Sequence, residues 1–263
     1  MKKTADVSLL QIDDLERIVT PDGSDTFRLK KSGWSYRSIH GAQTESRGVF
    51  LEGTGLSARP SPWSVLEFGF GAGTTFLLTA REAEQKGVAL HFISVDLFPV
   101  PPEAISGNDA AALLARSVLS ALRSGTDSVV SQQKANVTLE FHARDWQDID
   151  VSSESVQAVF YDPFGPKDQP EAWSPACFGV AERAMATDAV LGTYSSAAVA
   201  RRGMQAAGLH VAEAKGPGRK REITFAAKMP DLFTQEALLE KKLLPRFAPL
   251  NASEGSRGKP ADS

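Results

Sequence analysis

The chain has 263 residues, with 29 Lys and Arg against 32 Asp and Glu and a formal net charge of −3. Its 42% hydrophobic and 23% charged residues are ordinary globular composition, which excludes a wholly disordered chain and a collagen-like repeat. Cys177, the single cysteine, excludes a disulfide-stapled framework, and the balanced charge excludes a globally basic nucleic-acid coat while leaving room for a local basic face.

A reducing, cytoplasmic compartment is the expected setting. No run approaches the roughly 20 apolar residues that span a bilayer, and the basic start Met1-Lys2-Lys3 leads into no apolar core, so no secretory leader is expected. The chain divides into an N-terminal extension (1–60), a main domain (61–230, with a helical insertion near 100–130) and a C-terminal helix and disordered tail (231–263). The extension reads as hairpin-rich, with turn signals at Pro21-Asp22-Gly23 and Lys31-Ser32-Gly33 and strand-like runs at 26–29 and 48–51.

From residue 64 strand and helix signals alternate. Strands are predicted at 64–68, Leu90–Val95, Val137–His142, Val156–Tyr161, 190–194, 209–214 and 223–227. Helices are predicted at Thr74–Lys86, 101–123, 175–185 and 197–207. This order implies an α/β fold with a mostly parallel, seven-stranded sheet and helices on both faces, whose ligands bind beyond the carboxyl ends of the strands.

The first of these strands runs into Glu67-Phe68-Gly69-Phe70-Gly71-Ala72-Gly73. Glycines let the backbone turn sharply and approach a ligand closely. Twenty-three residues past Gly73, Asp96 ends the second strand, where a carboxylate can accept the hydroxyls of a ribose. The E-x-G-x-G-x-G form is similar to the first motif of S-adenosylmethionine methyltransferases. A dinucleotide site, which favours G-x-G-x-x-G, and a ligand-free strand–helix turn are the competing readings. Asp145, after the third strand, either accepts an adenine amino group or caps a short helix at Trp146.

The fourth strand ends Tyr161-Asp162-Pro163-Phe164-Gly165. Pro163 restricts Asp162 to extended geometry and aims its carboxylate at the carboxyl edge of the sheet. The turn loosely resembles the D/N-P-P-aromatic turn of amino-group methyltransferases. A carboxylate there could hold a primary amine, whose pKa is about 10, orient it and accept a proton; otherwise Asp162 is an Asx-type turn. Phe164 and Trp173 either stack on a base or pack beneath the loop. Lys215, Arg219, Lys220 and Arg221 place four cations in seven residues on a Gly/Pro loop, near Arg201 and Arg202 on the preceding helix. They are either phosphate contacts or a solvated surface. His40, His91, His142 and His210 lack metal-ligand spacing, so no metal is expected, and Cys177 reads as core.

Together these blocks resemble the methyltransferase part of the tRNA wobble-uridine 5-aminomethyl methyltransferases, the MnmC/MnmD type, over roughly residues 25–228. The resemblance is carried by the run from Glu45-Ser46-Arg47 to Gly53-Thr54-Gly55-Leu56, by 67–73, and by Val95-Asp96-Leu97-Phe98-Pro99. It continues through Tyr161-Asp162-Pro163-Phe164-Gly165-Pro166-Lys167, Gln169-Pro170-Glu171-Ala172-Trp173, Thr193-Tyr194-Ser195 and Arg201-Arg202-Gly203. Its most specific block is Gly216-Pro217-Gly218-Arg219-Lys220-Arg221-Glu222. The chain departs from the family pattern at Gly48, Thr54 and Pro163, where the family favours an aromatic, Asn and Gly.

The resemblance implies a Rossmann-like class I fold and S-adenosylmethionine-dependent N-methylation of 5-aminomethyl-(2-thio)uridine in the tRNA anticodon stem-loop, with Asp162 as the active-site carboxylate. It also implies methylation alone, the amine being supplied by a separate enzyme, since the length leaves no room for the FAD-dependent oxidase of the bifunctional members. Two alternatives remain at this point. One is a small-molecule amine methyl- or aminopropyl-transferase, indifferent to neutralising Arg219, Lys220 and Arg221. The other is a non-catalytic module on the cofactor fold, against which Glu67, Asp96, Asp145 and Asp162 argue.

Overall fold

The computed structural model describes residues 10–36, 41–217, 222–233 and 248–249. The expected C-terminal helix and tail lie outside the described residues apart from a 3-10 turn at Pro230–Phe233 and two residues of strand.

The extension opens with an antiparallel hairpin, β1 (Leu15–Val19) and β2 (Asp25–Leu29), tied across its open face by Arg17 and Asp25 at 2.7 Å. A short helix α1 (Ala42–Ser46) passes directly into a π-helical turn, Arg47–Leu51. The strand expected at 48–51 is therefore a helix. Four apolar residues are too few for periodicity to separate the two, and the wider helical turn buries Val49, Phe50 and Leu51 together. Gly48 has a local reason: a Cβ there would stand 2.9 Å from Cβ of Pro217, so glycine leaves room for the 216–217 stretch to close on this turn. Thr54, the second departure, turns its hydroxyl back to the carbonyl of Phe50 at 2.6 Å.

The main domain follows in the order β3 (Trp63–Phe68), α2 (Thr74–Lys86), β4 (Leu90–Val95), α3 (Ala110–Ser124), β5 (Val129–Lys134), β6 (Val137–His142) and β7 (Val156–Tyr161). It continues with α4 (Pro175–Ala184), β8 (Met185–Thr193), α5 (Ala198–Ala206), β9 (His210–Lys215), β10 (Glu222–Ala227) and β11 (Ala248–Pro249). One nine-stranded sheet results, ordered β11-β9-β10-β8-β7-β3-β4-β6-β5. The five central strands are parallel, and β5, β9, β10 and β11 join antiparallel at the flanks. All seven expected strands are present; the two additions, β5 and β11, lie at the edges. The helix expected over 101–123 is broken by Gly107 (φ +94°) into a 3-10 turn, Pro102–Ala104, and α3, which Asp109 caps through the Ala112 N–H at 2.9 Å.

Side chains alternate across the strands. Trp63 and Val65 of β3, with Ala158 and Phe160 of β7, pack with Phe76, Ala80 and Val118 on the face carrying α2, α3 and the π-helical turn. Leu66 and Phe68, with Val159 and Tyr161, pack with Phe178 and Met204 on the face carrying α4 and α5. Cys177 belongs to this second layer. No helix among the described residues is long and apolar enough to cross a membrane.

Candidate active site

The strand order reverses between β3 and β7: the chain leaves β3 outward to β4 and β6, and leaves β7 the other way to β8. Loops that part at such a point open a crevice at the carboxyl ends of the strands. The glycine turn and the Asp162 turn form its two lips, and they touch. Asp162 N–H donates to the carbonyl of Phe68 at 2.9 Å. A Cβ on Gly69 (φ +89°) would sit 2.6 Å from the carbonyl oxygen of Asp162, so only glycine permits this approach.

On the other side of the turn, Asp96 accepts the Gly71 N–H at 3.2 Å and the Phe98 N–H at 2.9 Å. Burial pushes its carboxyl above the ordinary value, and the backbone donors Phe98, Gly71 and Phe70 pull against that. Gly69, Gly71, Asp96, Leu97, Phe98 and Trp146 line a cleft together with Asp162, Pro163, Phe164, Gln169 and Tyr36.

The Asp162 turn is held from three directions. Tyr194, just past β8, donates its hydroxyl to the Pro163 carbonyl at 2.8 Å. The Trp173 indole donates to the Phe164 carbonyl at 2.8 Å, and the Gln169 side-chain oxygen accepts the Phe164 N–H at 3.2 Å. Trp173 is wholly buried and packs edge-on to Tyr161. It supports the turn from beneath, whereas half-exposed Phe164 stays at the cleft.

The other predicted residues separate into distinct groups. Glu67 is fully buried on the face of β3 that bears Trp63 and Val65, accepts the Ser94 hydroxyl at 2.9 Å, and does not line the cleft. Gly73 (φ +72°) starts α2 and makes room for the Phe70 ring, 2.9 Å from where its Cβ would be. Asp145 caps the 3-10 turn Trp146–Asp148 through the Gln147 N–H at 3.0 Å, the capping alternative of the two readings.

Arg201 departs from its expected role as an RNA contact. Its side chain is 15% exposed and pairs with Glu213 at 3.1 Å and Glu222 at 3.3 Å, so its charge is compensated within the protein. Arg202 and Lys215 are exposed, and Arg219, Lys220 and Arg221 lie outside the described residues. His91 and His142, scattered in sequence, both reach Glu140. Among the described residues no cluster of His, Cys, Asp and Glu is placed to hold a metal ion.

Sequence reasoning missed Tyr36, Trp146, Gln169 and Tyr194 as site residues. For the last two the signal was present, since both fall in the recognised blocks around the turn. S-adenosylmethionine fits what is present. Gly69 and Gly71 offer a floor without Cβ atoms, and Asp96 is pre-oriented for a diol. Leu97, Phe98 and Trp146 supply apolar surface for a base. The Trp146 indole N–H is buried without an acceptor among the described residues, an unmet donor that a bound nucleoside could satisfy.

Comparison with known proteins agrees with this reading. Residues 107–229 match the family model of an S-adenosyl-L-methionine-dependent methyltransferase. The tRNA 5-methylaminomethyl-2-thiouridine biosynthesis bifunctional protein MnmC of Ralstonia nicotianae is 32% identical over 209 residues, covering 73% of this chain and 31% of that protein. The protein of the same name from Methylibium petroleiphilum is 33% identical, covering 74% and 32%. The chain thus spans about a third of the length of these relatives. The crystal structure of MnmC2 from Aquifex aeolicus shares the fold, with a TM-score of 0.65 at 21% identity, covering 93% of this chain and 81% of that one. By these matches the chain is similar to S-adenosyl-L-methionine-dependent methyltransferases and to the MnmC proteins.

Proposed function

We propose that the protein N-methylates the 5-aminomethyl group of (2-thio)uridine at the tRNA wobble position, acting in the cytoplasm on the anticodon stem-loop. A separate enzyme would supply the free amine. The observation that carries this reading is the contact between the two lips of the crevice. It sets the backbone of Asp162, at the tip of a central strand, against Gly69, and Asp162 lines the same cleft as Gly69, Gly71 and Asp96.

When bound, S-adenosylmethionine supplies an electrophilic methyl carbon on a sulfonium. Asp162 receives the amine through a charge-assisted hydrogen bond, orients its lone pair and takes its proton, directly or through water. Asp96 accepts the ribose hydroxyls with its remaining lone pairs. Phe164 contacts the target nucleoside. Arg202, Lys215, Arg219, Lys220 and Arg221 offer charge to RNA phosphates, an affinity that falls with salt.

The test uses an anticodon stem-loop carrying 5-aminomethyl-2-thiouridine and isotopically labelled donor. The wild-type protein is expected to form the methylaminomethyl nucleoside, read by mass spectrometry. Asp162→Asn should lose turnover by at least about 100-fold, within the range assigned to a positioned acid–base group, with donor affinity unchanged. Labelling of a free polyamine but not of the stem-loop would overturn the RNA reading in favour of a small-molecule transferase.

A further inference from the structure

Three aromatic rings from two distant stretches meet at the open side of the cleft. Phe164, two residues past Asp162, lies 5.1 Å from the ring of Trp34 and 5.3 Å from that of Tyr36, each tilted by 49°. These rings differ from the large aromatics of the two core layers. Trp63, Trp173, Tyr161, Phe68 and Phe160 are buried within the two layers, whereas Trp34, Tyr36 and Phe164 are half-exposed. The tilted contacts hold the three rings together, Tyr36 also packs against the core, and partial exposure leaves some ring surface open at the cleft.

The rings are held firmly. The segment carrying Trp34 and Tyr36 folds back along β2: Leu29 N–H donates to the Trp34 carbonyl at 2.8 Å, Tyr36 N–H donates to the Phe27 carbonyl at 2.9 Å, and Ser35 bridges to Arg28. Tyr36 also reaches the cofactor end, because a Cβ on Gly71 would lie 3.0 Å from its ring. Burial and the nearby Asp96 charge raise its hydroxyl well above the ordinary value, so it stays a protonated donor at any working pH. One side chain thus touches the glycine floor and the Asp162 turn together.

We infer that Trp34 and Tyr36 of the N-terminal extension complete, with Phe164, an aromatic wall that stacks the pyrimidine ring of the target nucleoside beside Asp162. The inference rests on the RNA reading above and gives the extension a role in substrate recognition. A base read by an enzyme must leave its own stack and find another flat surface, which aromatic side chains provide. Stacking is tolerant of sequence, so the wall holds the ring while Asp162 selects the amine.

The test measures methyl transfer to the same aminomethylated stem-loop by wild type, Trp34→Ala and Trp34→Phe, with donor affinity read separately by calorimetry. Trp34→Ala should raise KM for the stem-loop by about 5- to 150-fold, the range for loss of one base–aromatic stack, with donor affinity unchanged. Trp34→Phe should recover to within about threefold. A stem-loop KM unchanged in Trp34→Ala overturns the wall. Equal loss of donor and stem-loop affinity in Trp34→Ala also overturns it, by assigning the segment to cofactor or to folding. A wild-type protein that methylates no stem-loop fails the functional reading itself, which separates the two failures.

Discussion

Gly69 and Gly208 have almost the same backbone angle, φ +89° and +87°, but opposite surroundings. Alanine at Gly208, just past α5, would meet nothing within 4 Å. It incurs the left-handed strain of about 1–2 kcal/mol, partly offset by about 0.4–1 kcal/mol from a less flexible unfolded chain, so Gly208→Ala should cost less than about 2 kcal/mol. Alanine at Gly69 incurs the same strain and adds a collision: its Cβ would lie 2.6 Å from the Asp162 carbonyl oxygen, 3.0 Å from the adjoining carbon and 3.3 Å from the Pro163 nitrogen. All three are backbone atoms, which cannot swing aside. Overpacking of this kind costs about 1–3 kcal/mol more, for a total of about 1–5 kcal/mol.

Relief requires the Asp162 turn to retreat by a good fraction of an ångström, and a displacement near 1 Å costs about 100-fold in rate. Urea unfolding of both variants, with methyl transfer measured alongside, checks the argument. Gly208→Ala should keep full turnover, and Gly69→Ala should lose turnover by about 10- to 100-fold while remaining folded at 25 °C. If the two variants are equally stable and equally active, the contact between the lips does not set the position of the carboxylate, and the reasoning fails.

Tyr194→Phe removes the hydroxyl that donates to the Pro163 carbonyl at 2.8 Å. The loss should be about 0.5–1.5 kcal/mol in stability and should lower kcat with donor affinity unchanged; a drop in donor affinity alone would place Tyr194 with the cofactor instead. Hydrogen bonds from His142 and then His91 lower the Glu140 carboxyl from 4.5 to about 2, against burial. A carboxyl lowered by folding contributes stability above its unfolded value and loses it as pH falls from about 4.5 toward 2. The contribution is at most about 3 kcal/mol. Glu140→Gln should flatten the acid limb of a stability–pH curve, and an unchanged limb would show that the His–Glu–His contact adds nothing.

The parts of this molecule that could be read from its sequence are those where the backbone restricts residue type. The central strands are short apolar runs because both faces are covered, and Gly69 and Gly71 stand where positive φ and close approach leave no choice. The Asp162 turn is stiffened by a proline that has to be written into the chain. What escaped depends on partners. β1 and β5 carry Glu16, Arg17, Gln132 and Gln133 because they run at edges, half in water, and their polar residues hide the pattern. Arg201 looks like an RNA contact when cations are counted along the chain. Its counter-charges come from Glu213 on β9 and Glu222 on β10, and only the sheet brings them beside α5. Tyr36 reads as one aromatic among many until the hairpin lays it across Gly71 and Phe164. A glycine announces its constraint locally, whereas a charge or a ring acquires its meaning from whatever the fold places opposite it. The glycine turn and the Asp162 turn were therefore legible, and the ring cluster around Phe164 and the paired Arg201 were not.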